Sequence, residues 1–431
     1  MYKLTENPIA KAYDVTYVRF SAPDLSIMEQ FARDFGLIVV HKDEEAVYCR
    51  GLEGDPFIHV VHKGPPRFLG FAFKMKEEED LHKLANQVPG CSPVKNIPGI
   101  EGEMGGGKRV HFFDPIGGFL IEAVHGQSTE PLKPAREKLL YNIGGKHERI
   151  GTLQDTVGNR HPNLGDPGAP EVRRLGHCVV TMPIGPHIKF MEFMHQTFGM
   201  LPSDSAVVTK GIGDHNLPPQ LFDALKAAGT EIMGQFMRMD RGLEPTDHHS
   251  LFVLPLMDPR AKPSSSNKLN GQLSHCAFEV QSMDDVFRGH MSLRAKKEAG
   301  ARYNLAWGVG RHVLGSQIYD YWYDPFGHVH EHMCDGDMIN SSREHKIHDL
   351  LSLGPNGANQ WGPTVKESGV RNLEREISKI ARKMVKKIDN NENVNNPITD
   401  KDLKDLLGVQ KFKYGEIEEE NRVGVVTGLA W

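Results

Sequence analysis

The chain has 431 residues, 39% hydrophobic and 25% charged, with 51 Lys and Arg against 56 Asp and Glu for a formal charge of −5. That length exceeds one ordinary core, so two domains plus extensions is the expected plan, and the mild acidic balance offers no general basic field for DNA or RNA. No apolar stretch approaches a membrane span and the start, Met-Tyr-Lys-Leu-Thr-Glu-Asn-Pro, lacks a basic-then-apolar leader, so a cytoplasmic protein is expected.

Read in chain order, the first predicted strand is Val15-Thr-Tyr17-Val-Arg. An amphipathic helix follows and closes at Phe31-Ala-Arg-Asp-Phe35-Gly36-Leu37, where glycine accepts the left-handed cap without a Cβ clash. Gly105-Gly106-Gly107 lacks the helix and the Lys-Ser/Thr partner of a phosphate loop and reads as a turn. Val110-His-Phe-Phe-Asp114-Pro115-Ile-Gly117 places Asp-Pro-x-Gly turn chemistry between two strands. The first domain is drawn to residue 126, and a Pro/Gly-rich strap or linker occupies 127–172.

The second domain, 173–337, repeats these signatures. Met194-His-Gln-Thr-Phe198-Gly199-Met200 matches the first helix end, and Tyr321-Trp-Tyr-Asp324-Pro325-Phe-Gly327 matches the first turn. A helix is expected from Ser282, with Asp284 and Asp285 at its positive end, and should finish before Gly300. The chain thus reads as four copies of a strand, helix, several strands unit, two per domain. From 338 to 431 the pattern changes to a loop, an amphipathic helix through Val370, Leu373, Ile377, Ile380, Met384 and Ile388, a polar run Asp389 to Asn396, and an apolar close from Val423. The apolar close would dock on the body or on a second subunit.

Three short apolar runs carry the chemistry: Leu175-Gly-His177-Cys-Val-Val, Leu273-Ser-His275-Cys-Ala-Phe and Val329-His-Glu331-His-Met333. Side chains alternate along a strand, so His177, His275 and Glu331 each share a face with apolar neighbours and point inward. A buried carboxylate costs several kcal/mol unless a cation meets it. Two histidines and one carboxylate are the facial set that leaves half of an octahedral iron(II) open. The chain has 22 histidines, and a lone His on an apolar strand is more often a core residue than a ligand. The repeated Leu-x-His-Cys context, joined by an acidic residue in a third strand, outweighs that plain reading. His328, His330 and His332 alternate to the other face, as do Cys178 and Cys276, which read as packing residues. The five cysteines, with no CxxC pair, argue against a disulfide scaffold or structural zinc.

The repeat supplies an internal control. Aligning Ala72-Phe73 with Ala277-Phe278 puts Gly70 where His275 stands and offers Tyr17 in place of His177. Spacing from Asp114 reaches Ile121 at the Glu331 position, with Glu122 one residue late, displaced or needing a bulge. One copy keeps the three polar groups and its sibling does not, which a purely structural role for the histidines does not explain.

The segments Leu175 to Met200, Asp247 to Val253, Leu273 to Val280 and Gly310-Arg311-His312 through Asp320-Tyr321-Trp322-Tyr323-Asp324-Pro325-Phe326-Gly327 to Glu331 resemble type I extradiol ring-cleaving dioxygenases of the vicinal oxygen chelate superfamily. The resemblance spans roughly Tyr13 to Asp337 and does not explain the tail beyond about Pro363. It implies an α+β fold of four βαβββ modules paired into two open-barrel domains, the first a degenerate copy and the second catalytic. It further implies Fe(II), or Mn(II), on His177, His275 and Glu331, with His248 as the acid/base residue, or His249 if the register slips. His312 would contact substrate, and Tyr321 would donate a hydrogen bond beside the substrate oxygen. The partners implied are an aromatic diol and O2, in a homo-oligomer without nucleic acid or membrane. Two rivals are a hydroxyphenylpyruvate-type dioxygenase, against which Arg311-His312 with Tyr321 argues, and a non-catalytic small-molecule-binding protein of the same fold.

Overall fold

The computed structural model describes residues 3–97, 105–133, 141–151, 168–208, 219–256, 271–349 and 359–363. The expected helix at 370–388, the polar run after it and the apolar close at 423–431 lie outside the described residues.

The first half runs β1 (Ala12–Ala22), α1 (Leu25–Phe35), β2 (Ile38–Lys42), β3 (Ala46–Arg50), β4 (His59–Lys63), then β5 (Arg67–Met75), α2 (Glu78–Gln87), β6 (Lys95–Asn96), β7 (Lys108–Phe113) and β8 (Leu120–His125). These strands form one open sheet in the order β2-β3-β4-β1-β5-β8-β7-β6. β1 runs parallel to β4 and β5 parallel to β8, while β1 and β5 meet antiparallel, so two βαβββ units join back to back. Helix α1 starts where the Asp24 side chain accepts from the amides of Ser26 and Ile27, and stops at Gly36 with φ +99°. Its Leu25, Met28, Phe31, Ala32 and Phe35 recur at helical spacing and are buried.

The second half repeats the plan with β9 (Val172–Met182), α3 (Pro186–Phe198), β10 (Leu201–Val207), α4 (Pro219–Ala227), β11 (Ile232–Arg238), β12 (Thr246–Asp247) and β13 (Leu251–Pro255). Then come β14 (Gln272–Val280), α5 (Met283–Glu298), β15 (Asn304–His312), β16 (Ile318–Tyr323), β17 (Val329–Cys334), β18 (Met338–Ile339), β19 (Lys346–Asp349) and β20 (Asn359–Trp361). The large sheet has the order β19-β10-β11-β13-β9-β14-β17-β16-β15-β20, and β12 pairs with β18 apart from it. Again β9 is parallel to β13, β14 parallel to β17, and β9 antiparallel to β14. Helix α5 begins at its Ser282 cap and ends before Gly300, as its charges and glycine require.

The turns expected at Asp-Pro-x-Gly form by one device. Asp114 accepts from the amides of Ile116, Gly117 and Phe119, and Asp324 from those of Phe326 and His328. Cys178 and Cys276 face each other across β9 and β14 in the core, with sulfurs 3.9 Å apart. His330 and His332 do turn away from Glu331. His332 stacks on Phe35 at 3.8 Å between centroids and bonds the Phe35 carbonyl, while His330 Nε2 meets His59 Nε2 at 3.1 Å. These contacts tie β17 to α1 and β4, and the described residues up to Gly362 fall in one compact unit.

Candidate metal centre

Strands β9, β14 and β17 are neighbours, and their register places His177 opposite Ala277, which on its other side opposes Glu331. His275, two residues before Ala277, projects from the same face. One ligand atom from each of His177, His275 and Glu331 lies within 4.8 Å of the others. Glu331 Oε2 stands 3.3 Å from His177 Nε2 and 3.2 Å from His275 Nε2.

Glu331 is fully buried, and neither of its oxygens has a hydrogen-bond partner. Burial holds the His275 imidazole below its ordinary range, so at neutral pH it presents a lone pair and not a cation. Two lone pairs and a carboxylate oxygen at such separations repel unless a positive charge sits among them. A divalent ion with imidazole and carboxylate ligands satisfies all three, and three ligands on one side leave positions free.

The residues expected to handle protons lie around this face. The His249 ring packs 4.2 Å from that of His177 and 4.9 Å from Phe236. Burial, then the nearby His177 and His248, hold it well below its ordinary range, so it is neutral. His248 is oriented otherwise: its Nε2 bonds the Asp204 carboxylate and its Nδ1 faces His249 Nδ1 at 3.1 Å. The backbone alternates between the two, with the His248 amide bonded to the Asp337 carbonyl and its carbonyl accepting from Ser203 Oγ. Of the adjacent pair, His249 is therefore the one set against the ligand histidine. Across the cup, Tyr321 sits opposite Glu331 in the ladder, its ring 4.9 Å from His275 and its hydroxyl 2.8 Å from His312 Nε2. Burial raises Tyr321 well above the usual phenol range, and it stays a donor. Sequence reasoning missed Asp204, Arg343 and His348, which no motif marks. The one available signal was an aspartate within the otherwise small and apolar β10.

The first sheet corrects one expectation. Glu122 lies opposite Ala72 just as Glu331 lies opposite Ala277, so Glu122, not Ile121, is the counterpart of Glu331, and no bulge is needed. The turn from Asp114 to β8 is one residue longer than that from Asp324 to β17, which absorbs the offset. A carboxylate stands there too, but guanidinium groups meet it. Arg19 Nε bonds Glu122 directly and Arg109 Nη1 approaches it at 3.0 Å. Tyr17 also pairs with Ala72, as His177 does with Ala277, and Gly70 stands at the His275 level. A Cβ on Gly70 would fall 1.7 Å from the Leu120 carbonyl oxygen, so no ligand side chain fits.

Paired βαβββ modules with two histidines and a carboxylate gathered in the second pair are the arrangement that the resemblance to vicinal oxygen chelate proteins implies. The chain is 26% identical over 377 residues to metapyrocatechase 2 of Cupriavidus necator, covering 85% of this chain and 94% of that protein. The homoprotocatechuate 2,3-dioxygenase of Arthrobacter globiformis shares the fold with a TM-score of 0.57 at 18% identity, over 84% of this chain and 92% of its own. The Mn(II)-bound glyoxalase from Novosphingobium aromaticivorans does so with a TM-score of 0.56 at 20% identity, over 82% and 91%. The resemblance to type I extradiol dioxygenases therefore extends across both sheets. The end of the chain is similar to something else. Residues 365–397 match the Lon protease AAA+ ATPase lid domain and 397–431 the Lon protease (S16) C-terminal proteolytic domain. The Lon protease of Azorhizobium caulinodans is 45% identical over 108 residues, 22% of this chain, and the chain spans only 13% of that relative's length.

Proposed function

We propose that the chain is an iron(II)-dependent extradiol dioxygenase that opens the ring of a catechol-type diol with O2 to a semialdehyde-type product, as in aromatic degradation. The observation that carries this reading is the convergence of His177, His275 and Glu331 around an unpartnered buried carboxylate. His249, His312 and Tyr321 are ranged around that cluster. The retained set in the second domain, 173–337, beside an arginine-filled counterpart in the first, 1–126, fits one catalytic and one supporting half. The strap 127–172 and the extension 338–431 complete this division.

When bound, the iron would bring the diol and dioxygen together and pass electrons from the diol to dioxygen. The protein's own part is proton handling and orientation. Neutral His249 accepts a proton from a diol hydroxyl and later returns one to the departing oxygen, which assigns it the role expected of His248. Tyr321 donates a hydrogen bond to an oxygen that gains negative charge, and His312 holds Tyr321 in place.

The test is anaerobic reconstitution with iron(II) or manganese(II), addition of simple catechols and admission of oxygen. A yellow product with matching oxygen uptake is expected, and the metal restoring it identifies the ion. Absence of uptake with every diol overturns the reading and leaves a binding protein of the same fold.

A further inference from the structure

Asp204 lies buried on β10 at the centre of a polar knot formed by residues distant in sequence. Its carboxylate accepts from Arg343 Nη2 at 2.8 and 3.0 Å, from His348 Nε2 at 2.7 Å, and from His248 Nε2. An ionised carboxylate only accepts, so the His248 proton must sit on Nε2. With its proton held at Nε2 by Asp204, His248 turns the lone pair of Nδ1 toward His249 Nδ1, 3.1 Å away. His249 must donate from Nδ1, which leaves its Nε2 with the lone pair.

We propose that Asp204 is a positioning residue that acts through His248 to fix the tautomer and ring orientation of His249, so that Nε2 is the atom that takes the diol proton. In that step the diol O–H bond breaks and an N–H bond forms at His249 Nε2, while its Nδ1–H stays bonded to His248. The proposal rests on the reading of His249 as proton acceptor. It goes beyond that reading by naming the group that sets which nitrogen works. Asparagine at 204 is nearly isosteric, but its amide nitrogen is a donor. Turned toward His248 Nε2, it reverses both imidazoles and puts a proton on His249 Nε2.

The experiment compares wild type, Asp204→Asn, His249→Ala and the double variant, all loaded with iron, using oxygen uptake with a catechol. For Asp204→Asn the iron content and KM should stay within about 2-fold of wild type, while kcat falls on the order of 100-fold or more, as for a triad histidine held in the wrong tautomer. In the His249→Ala background the same change should cost nothing further, an outcome that a merely structural role does not produce. His248→Gln should repeat both results and serves if Asp204→Asn does not fold. Full kcat in Asp204→Asn, or a loss that multiplies with that of His249→Ala, overturns the positioning role alone. A wild type that takes up no oxygen with any diol rejects the dioxygenase reading, and this proposal falls with it.

Discussion

At the residue scale, the proposed metal ligands and the proposed proton carrier separate by what their loss removes. His275→Ala deletes one of the two proposed imidazole ligands beside the buried Glu331, so metal content and turnover should vanish together in metal analysis and oxygen uptake. His249→Phe keeps the packing against His177 and Phe236 but removes the proton acceptor. Iron should be retained and kcat lowered by about 100- to 10,000-fold. Turnover surviving that change would return the acid/base role to His248. The inward-facing triad was legible because alternation in a strand is a local rule, and polar residues on an apolar face stand out. Which of His248 and His249 faces inward was not legible, because that depends on the partner at Asp204, about 44 residues away.

At the scale of elements, one difference between the two sheets lies at a single level of one strand pair. Gly70 on β5 lies against the Leu120 carbonyl of β8, whereas β14 carries His275 at the same level. The clash is with backbone, which cannot rotate aside, so Gly70→Ala should destabilise by about 2–3 kcal/mol in urea unfolding, with metal uptake unchanged per folded molecule. An equal urea midpoint would mean that β5 and β8 part more easily than their register implies. The misjudged Ile121 belongs to this scale too. Counting from Asp114 assumes equal turns, and a one-residue difference in a turn moves a side chain to the opposite face without leaving a mark in either strand.

At the scale of the whole molecule, buried imidazoles join the halves. His59 lies fully buried beside Phe20 and bonded to His330, and burial holds it well below its ordinary value of 6.5. Above that value His59 is neutral in both folded and unfolded chains, with no effect on stability. Below it the unfolded chain takes up the proton first, so stability should fall as pH drops from about 6.5 toward 5. Thermal midpoints across that range should decline less steeply for His59→Phe than for wild type, and parallel slopes would remove His59 as a cause. A chain ending at Pro363 should retain metal uptake and the proposed ring cleavage within about 2-fold, since the metapyrocatechase is matched over 85% of the chain while residues 365–431 match Lon protease domains. Loss of turnover without loss of iron would give the tail a part in the site.

The amino-acid sequence alone determined the four-unit repeat, the helix ends at Gly36 and Gly199, the turns at Asp114 and Asp324, and the inward face of His177, His275 and Glu331. Each of these depends on neighbours within a few residues, where backbone sterics, capping and alternation act. Only the tertiary structure decided that Glu122 is the counterpart of Glu331, that Arg19 and Arg109 meet the Glu122 carboxylate, and that Asp204, Arg343 and His348 converge behind His248. Those contacts join residues far apart along the chain, and strand register and sheet order, which no local pattern encodes, set which of them meet.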